Sequence, residues 1–238
     1  MRIGRTLVAL LAVLAATACT QVADGTVRPA RGLTPRPLTG QAVKQVLLDD
    51  SELSKMLNQP FKRSADLPPR FGGRDLLFGL DASPSECAEV EFELHKNSYG
   101  RADIRNAAQE IWWTARLRNV KVISMTESVV ALPSTVAADA LFATLTQQWN
   151  RCNGTTVTSD LPSGRGPTAV ISDVRAAESV LAATVDAVNT FRITSARAVG
   201  VRVNCLVEVG VAFFSDHRPD GTAVNIAHQM MDKVSSLT

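Results

Sequence analysis

Aromatic side chains are scarce. One tyrosine, three tryptophans and eight phenylalanines make up 5% of the chain, against a hydrophobic content of 45%. The core must therefore be built mainly from Val, Leu and Ala. An excess of one charge is also missing. Once Arg2 and Arg5 are assigned to a leader, 23 basic and 23 acidic residues remain. Phosphate binding needs a clustered basic excess, so no nucleic-acid partner is expected. Histidine is limited to His95, His217 and His228, with no H-x-x-x-H spacing and no adjoining cysteine motif, so neither a metal site nor a cofactor is expected. No G-x-S-x-G occurs, and Ser215, Asp216 and His217 read as a solvated turn, because triad members meet in space rather than in sequence. Gly164-Arg165-Gly166-Pro167 lacks the lysine and following helix of a phosphate loop and reads as a turn. The expectation is a chain with no catalytic residues, not an enzyme. Its 238 residues suffice for one large domain or two small ones.

The beginning of the chain reads as an address. Arg2 and Arg5 form a basic start, and the apolar run 6–16 is too short to span a bilayer. Ala16, Thr17 and Ala18 then lead into Cys19, so residues 1–18 read as a secretory signal peptide. The pattern resembles the bacterial lipobox, whose cysteine carries a diacylglyceryl thioether and, often, an acylated amine such as palmitate supplies. The lipobox usually has leucine where Ala16 stands. Ala16-x-Ala18 also fits ordinary signal peptidase, which would cut the same bond. Residues 19–40 are polar and rich in proline and glycine, a flexible tether of about 20 residues. The favoured reading is a protein anchored through acylated Cys19 on the extracytoplasmic face of the cell membrane, since each buried methylene contributes about 0.8 kcal/mol.

Residues 41–238 read as the folded domain. Segment 41–57 has helical spacing, interrupted at Asp49-Asp50-Ser51, where Asp50 or Ser51 could cap a second short helix. Segment 58–73 reads as loop and 76–80 as a short buried run. Ser83-Pro84-Ser85-Glu86 has the form of a capping box and predicts a helix to about His95. A turn at 97–100 precedes 101–116, where strand is favoured over helix, and a strand at 119–132. Ala137, Leu141, Phe142, Leu145 and Trp149 then form an apolar stripe, predicting a helix capped by Ser134, stopped at Gly154 and laid across a sheet. Strands follow at 155–158, 169–174 and 179–188, the last with a helical alternative, and a loop at 163–167.

From Val199 to Phe213 every odd residue is apolar, a strong period-two signal. That run exceeds one ordinary strand, so a hairpin turn is expected near 202–204. An odd-numbered loop would keep both apolar sets on one face; a two-residue loop would send them to opposite faces. A loop at 216–221 and a helix at 222–234, with Ala223, Ile226, Ala227, Met230, Met231 and Val234 on one side, complete the chain. The order predicts an α+β fold: an antiparallel β-sheet covered mainly by two α-helices on one face.

If Cys19 is acylated, Cys87, Cys152 and Cys205 permit three pairings, and spacing does not choose among them. Cys205 lies on the apolar parity of a strand and reads as a buried small hydrophobe. Cys87 and Cys152 lie at helix ends, where a bridge is easier.

These features together resemble the extracellular sensor domain of the mycobacterial PknH serine/threonine kinase and the stand-alone lipoproteins that share it. The resemblance spans about 38–234. It rests on Pro84 with Cys87, on Trp149-x-x-Cys152-x-Gly154, on Arg197-Ala198-Val199, on Asn204-Cys205-Leu206-Val207-Glu208-Val209 and on the closing amphipathic helix. It implies an antiparallel sheet flanked by helices around an open cleft, with a disulfide between Cys87 and Cys152. The family's second bridge would fall at Ser195 and Ala212, neither of them cysteine here, which leaves Cys205 unpaired. It also implies a non-enzymatic envelope lipoprotein that binds a small molecule, lipid or envelope component in the cleft. Such a chain, without a kinase, could bind but not transmit alone. Of Trp112 and Trp113, on opposite faces of a strand, one is expected in the core and the other as a candidate cleft residue. An envelope assembly protein acting through a protein interface is the alternative, and a weak hydrolase the third reading.

Overall fold

The computed structural model describes residues 35–116, 118, 120–161, 164–188, 193–214 and 221–238, with side chains omitted at 161–165. The leader, Cys19, most of the tether and the Ser215, Asp216, His217 turn lie outside the described residues. A 3-10 turn, Gly40–Val46, leads to helix α1, Asp50–Leu57. Its cap is Asp49, one residue before the expected position, in a reciprocal capping box with Glu52. Short strands β1 (Phe61–Arg63) and β2 (Arg70–Gly72) interrupt the loop expected at 58–73, and β3 (Ala82–Ser83) follows it.

The helix expected from 84 to 95 is broken. A 3-10 turn, Ser85–Cys87, runs into one-turn helix α2, Ala88–Glu91, without side-chain capping. Residues 92–95 then leave the helix, Leu94 adopts φ +52°, and one-turn helix α3 forms at Lys96–Tyr99, where a turn was expected. The cause lies in tertiary contacts: Leu94 and Glu93 reach the sheet, which a continuous helix would prevent.

Strands β4 (Asn106–Thr114) and β5 (Val122–Ala131) precede the long helix α4, Thr135–Cys152. Ser134 caps α4 as expected, its Oγ accepting from Ala137 N–H at 3.2 Å. Strands β6 (Thr156–Leu161), β7 (Gly164–Ala177), β8 (Val180–Ala187), β9 (Ile193–Arg202) and β10 (Cys205–Phe214) form an antiparallel meander, followed by α5, Thr222–Leu237. Gly164 to Pro167 thus belong to β7 rather than to a turn.

All ten strands form one sheet in the order β1-β4-β5-β10-β9-β8-β7-β6-β3, with β2 also paired to β4. Every named strand pair is antiparallel. Strand β5 lies five strand spacings from β6, about 24 Å at ~4.8 Å each. The 18 residues of α4 span about 27 Å at ~1.5 Å per residue. The helix therefore has the length needed to carry the chain across the sheet.

The hairpin between β9 and β10 decides which face each apolar residue joins. Arg202 pairs with Cys205, so its loop is the two residues Val203 and Asn204. Val199 and Val201 consequently pack with Leu206 beneath α4, while Val207, Val209, Val211 and Cys205 pack beneath α5. The expectation that both main helices cover one face is corrected: α4 and α5 lie on opposite faces. On the α5 side, Ile226, Met230 and Val234 meet these valines, and Val43, Val46 and Leu53 extend the layer. Contact is close at Gly200, where a Cβ would lie 2.5 Å from Met231 Sδ.

Asn204 ties the hairpin to the start of the domain. Its Oδ1 accepts from Leu38 N–H at 2.7 Å, and its Nδ2 donates to the carbonyls of Leu38 and Leu132. Nearby, Arg36 N–H donates to Thr238 O at 3.3 Å.

Candidate functional site

The α4 face is not simply hydrophobic. The Cys87–Cys152 disulfide, with Cα atoms 5.6 Å apart, fastens segment 85–99 to the C-terminal end of α4. That anchorage lays the segment over β9 and β10, where Arg197 and Glu208 project from the strand centres. Arg197 is 1% exposed and Glu208 2%. Arg197 donates through Nε to Val90 O at 3.0 Å and through Nη1 to Val209 O at 3.2 Å. It forms ion pairs with Glu93 and, at 3.4 Å, with Glu208. The Trp149 ring lies 5.9 Å from its guanidinium. Glu208 also accepts from Leu94 N–H and from the Tyr99 hydroxyl. Arginine suits this position because its planar fork serves several acceptors while staying charged.

Burial raises the Glu93 carboxyl, with the Arg197 charge opposing it. Burial, reinforced by the Glu208 charge, raises the Tyr99 hydroxyl well above its ordinary range. Tyr99 is therefore a fixed donor rather than a base. Glu89 is fully buried, with neither carboxylate oxygen in a well-formed hydrogen bond. Burial first and the Glu208 charge second push it up to about 8, against the favourable influence of Gln148 and Arg151. His95 is buried, its Nδ1 accepting from Asn97 N–H and its Nε2 facing Leu80 O at 3.1 Å. Burial lowers its pKa, so the neutral ring serves as a brace for the loop. No group of three or more His, Cys, Asp or Glu side chains among the described residues could hold a metal ion.

Glu93 connects this network to a groove of about 360 Å³ beside β4 and β5. Leu67, Phe78 and Ile111 give it apolar walls; Arg70, Gln109 and Glu93 supply polar atoms. Its position follows from strand parity. Gln109 and Ile111 of β4 point to the α4 face, but neither α4 nor segment 85–99 covers them completely. Glu93 reaches its place across Gly210, where a Cβ would lie 1.7 Å from its Oε1. Phe78 packs edge-on against Phe92 and His95 yet is 38% exposed, so the run 76–80 is only partly buried.

Trp112 lies in the core, whereas Trp113, the other cleft candidate, does not line the groove. Trp112 is 2% exposed on the α5 side, with Arg63 5.3 Å from its ring centre. Trp113 is 41% exposed and shares the strand face of Ile111, but it stands beyond the groove lining. The sequence reading missed Arg197, Glu208 and Glu93. A usable signal existed: a charged residue between apolar neighbours in a strand covered on both faces must find an internal partner.

The model of the PknH-like extracellular domain matches residues 38–233. The chain belongs to the PknH-like extracellular domain family. This is a sensor-type extracellular domain. The crystal structure of the extracellular domain of PknH from Mycobacterium tuberculosis is similar in fold, with TM-score 0.73 and 19% identity over 85% of this chain and 100% of that one. A protein from Mycobacterium smegmatis described as an uncharacterized Rv0999 ortholog aligns at 13% identity over 82% of this chain and 96% of that one, with TM-score 0.40. That likeness is too low to carry an argument. No curated protein matches the chain. In this PknH-like domain Cys87 and Cys152 are bonded and Cys205 is free and buried, as the resemblance implied. Ser195 and Ala212 are direct cross-strand partners in β9 and β10. Among the described residues no helix is long and apolar enough to cross a membrane.

Proposed function

We propose that the chain is a non-enzymatic envelope protein, held to the extracytoplasmic face of the membrane through acylated Cys19, whose domain binds a small molecule, lipid or envelope component. The observation carrying this reading is the groove beside β4 and β5, about 360 Å³ in volume, with apolar walls and four polar side chains, Arg70, Glu93, Gln109 and Thr126. That size and mixed lining suit a small-ligand site. The buried Arg197 network is its support, because it fixes Glu93 from behind. In this reading the domain captures or presents its ligand.

Native mass spectrometry of protein released from membranes tests the reading. The wild-type chain should carry an extractable mass that Ile111→Arg loses while its melting temperature stays close to wild type. An empty wild-type protein, or retention of the same mass by Ile111→Arg, would count against the groove. Cys19→Ala should move the protein from the membrane fraction to the soluble one; unchanged fractionation would exclude the acyl anchor.

A further inference from the structure

The groove's polarity identifies the class of molecule it takes. Two of its charged groups differ in kind. Glu93 is committed to Arg197. Arg70 forms no ion pair with a described residue; its guanidinium makes only two long hydrogen bonds, 3.5 Å to Gln109 Oε1 and 3.4 Å to Leu76 O. Both exceed the ordinary range of about 2.7–3.2 Å for such bonds. Arg70 is thus an exposed cation with donors to spare at the rim of an apolar cavity. A second observation points the same way. Among the described residues, two of the seven exposed large hydrophobics, Leu67 at 48% and Phe78 at 38%, line this groove. Exposed hydrophobics scattered singly are ordinary, whereas these two line one groove together with Arg70.

We infer that the groove binds an amphiphile with one anionic head group, a carboxylate or a phosphate monoester, which pairs with Arg70 while its apolar chain covers Leu67, Phe78 and Ile111. This inference rests on the groove reading above and adds a charge to it. The guanidinium fork matches both head groups bidentately. Gln109, held by Ser128 at 3.3 Å, is placed to respond when Arg70 turns to the ligand.

Calorimetric titration of the full chain tests this with five probes: decanoate, decyl phosphate, decanol, decyltrimethylammonium and inorganic phosphate. Decanoate and decyl phosphate should bind, and their ratio tells a fatty acid from a phosphorylated lipid as the natural source. The other three should bind at least tenfold more weakly. Arg70→Gln should weaken the anionic amphiphiles at least tenfold without lowering the melting temperature. Equal affinity for decanol or decyltrimethylammonium, or indifference of decanoate to Arg70→Gln, overturns the anionic assignment. If Ile111→Arg still abolishes that binding, the groove itself survives as the site. Silence from all five probes overturns the assignment, and an empty protein in native mass spectrometry then removes the groove reading as well.

Discussion

Beneath α5 the sheet meets Ile226, Met230 and Val234 with valines and alanines, and its buried acid, Glu127, has one carboxylate oxygen unpaired. Beneath α4 the buried acid Glu208 is satisfied by Arg197, Tyr99 and Leu94. Burial pushes Glu127 up to about 8, with the neighbouring Glu110 charge adding to the effect and the Leu48 N–H and Lys233 opposing it. Glu127 is thus kept by leaving it protonated, as is Glu89 in α2, whereas Glu208 in the sheet beneath α4 is kept by surrounding it with donors. The second solution is geometrically demanding. It requires a loop fixed over the sheet, and the disulfide with α2 and α3 supplies that loop. The same requirement leaves β4 and β5 incompletely covered and makes room for the groove.

The largest effect should come from removing the shared cation. Arg197→Met leaves Glu93 and Glu208 without their counter-charge and should cost about 3–5 kcal/mol in urea unfolding, as broken buried pairs do. Ile226→Val, under α5, should cost only about 0.5–1.5 kcal/mol. Equal losses would dissolve the contrast between the faces. Replacing Cys87 and Cys152 together by serine should cost about 2–4 kcal/mol, because the bridge spans 65 positions of sequence and restrains the unfolded chain. Hydrogen exchange should then rise first in segment 85–99, while the amides of α5 remain protected.

A further effect sharpens the contrast through pH. A carboxyl raised in the folded state holds a proton that the unfolded chain has released. Its stabilising contribution is complete below the unfolded value near 4.5 and falls as pH rises toward about 8. Glu127→Gln should remove that fall, giving a gain of about 1–2 kcal/mol at pH 7, beneath the ceiling of ~1.4 kcal/mol per pH unit that one proton sets. Glu89, raised in the same direction, leaves a residual slope that Glu89→Gln should also reduce. A stability curve unaltered by both substitutions would show the two acids ionised in the fold.

The parts read correctly from sequence were governed by local or strictly periodic rules. Ser134 and Gly154 framed α4, and the odd-numbered valines announced β9 and β10. Periodicity could not say which face each arm addressed, because that depends on the parity of a loop only two residues long. The capping-box pattern at 83–86 misled for a different reason: the local helix preference there is opposed by the contacts of Glu93 and Leu94 with the sheet. The groove was harder still. Arg70, Phe78, Glu93 and Ile111 come from separate parts of the chain, and no pattern in sequence marks them as neighbours.

The contact between Arg36 and Thr238 makes the domain nearly a ring. A short peptide could join the two ends, and the Glu178–Ser179 turn between β7 and β8 could be opened to provide new termini. The architecture is therefore suited to circular permutation or to insertion into a host loop, with the hydrogen bonds of Asn204 to Leu38 serving as the clasp that holds the seam together.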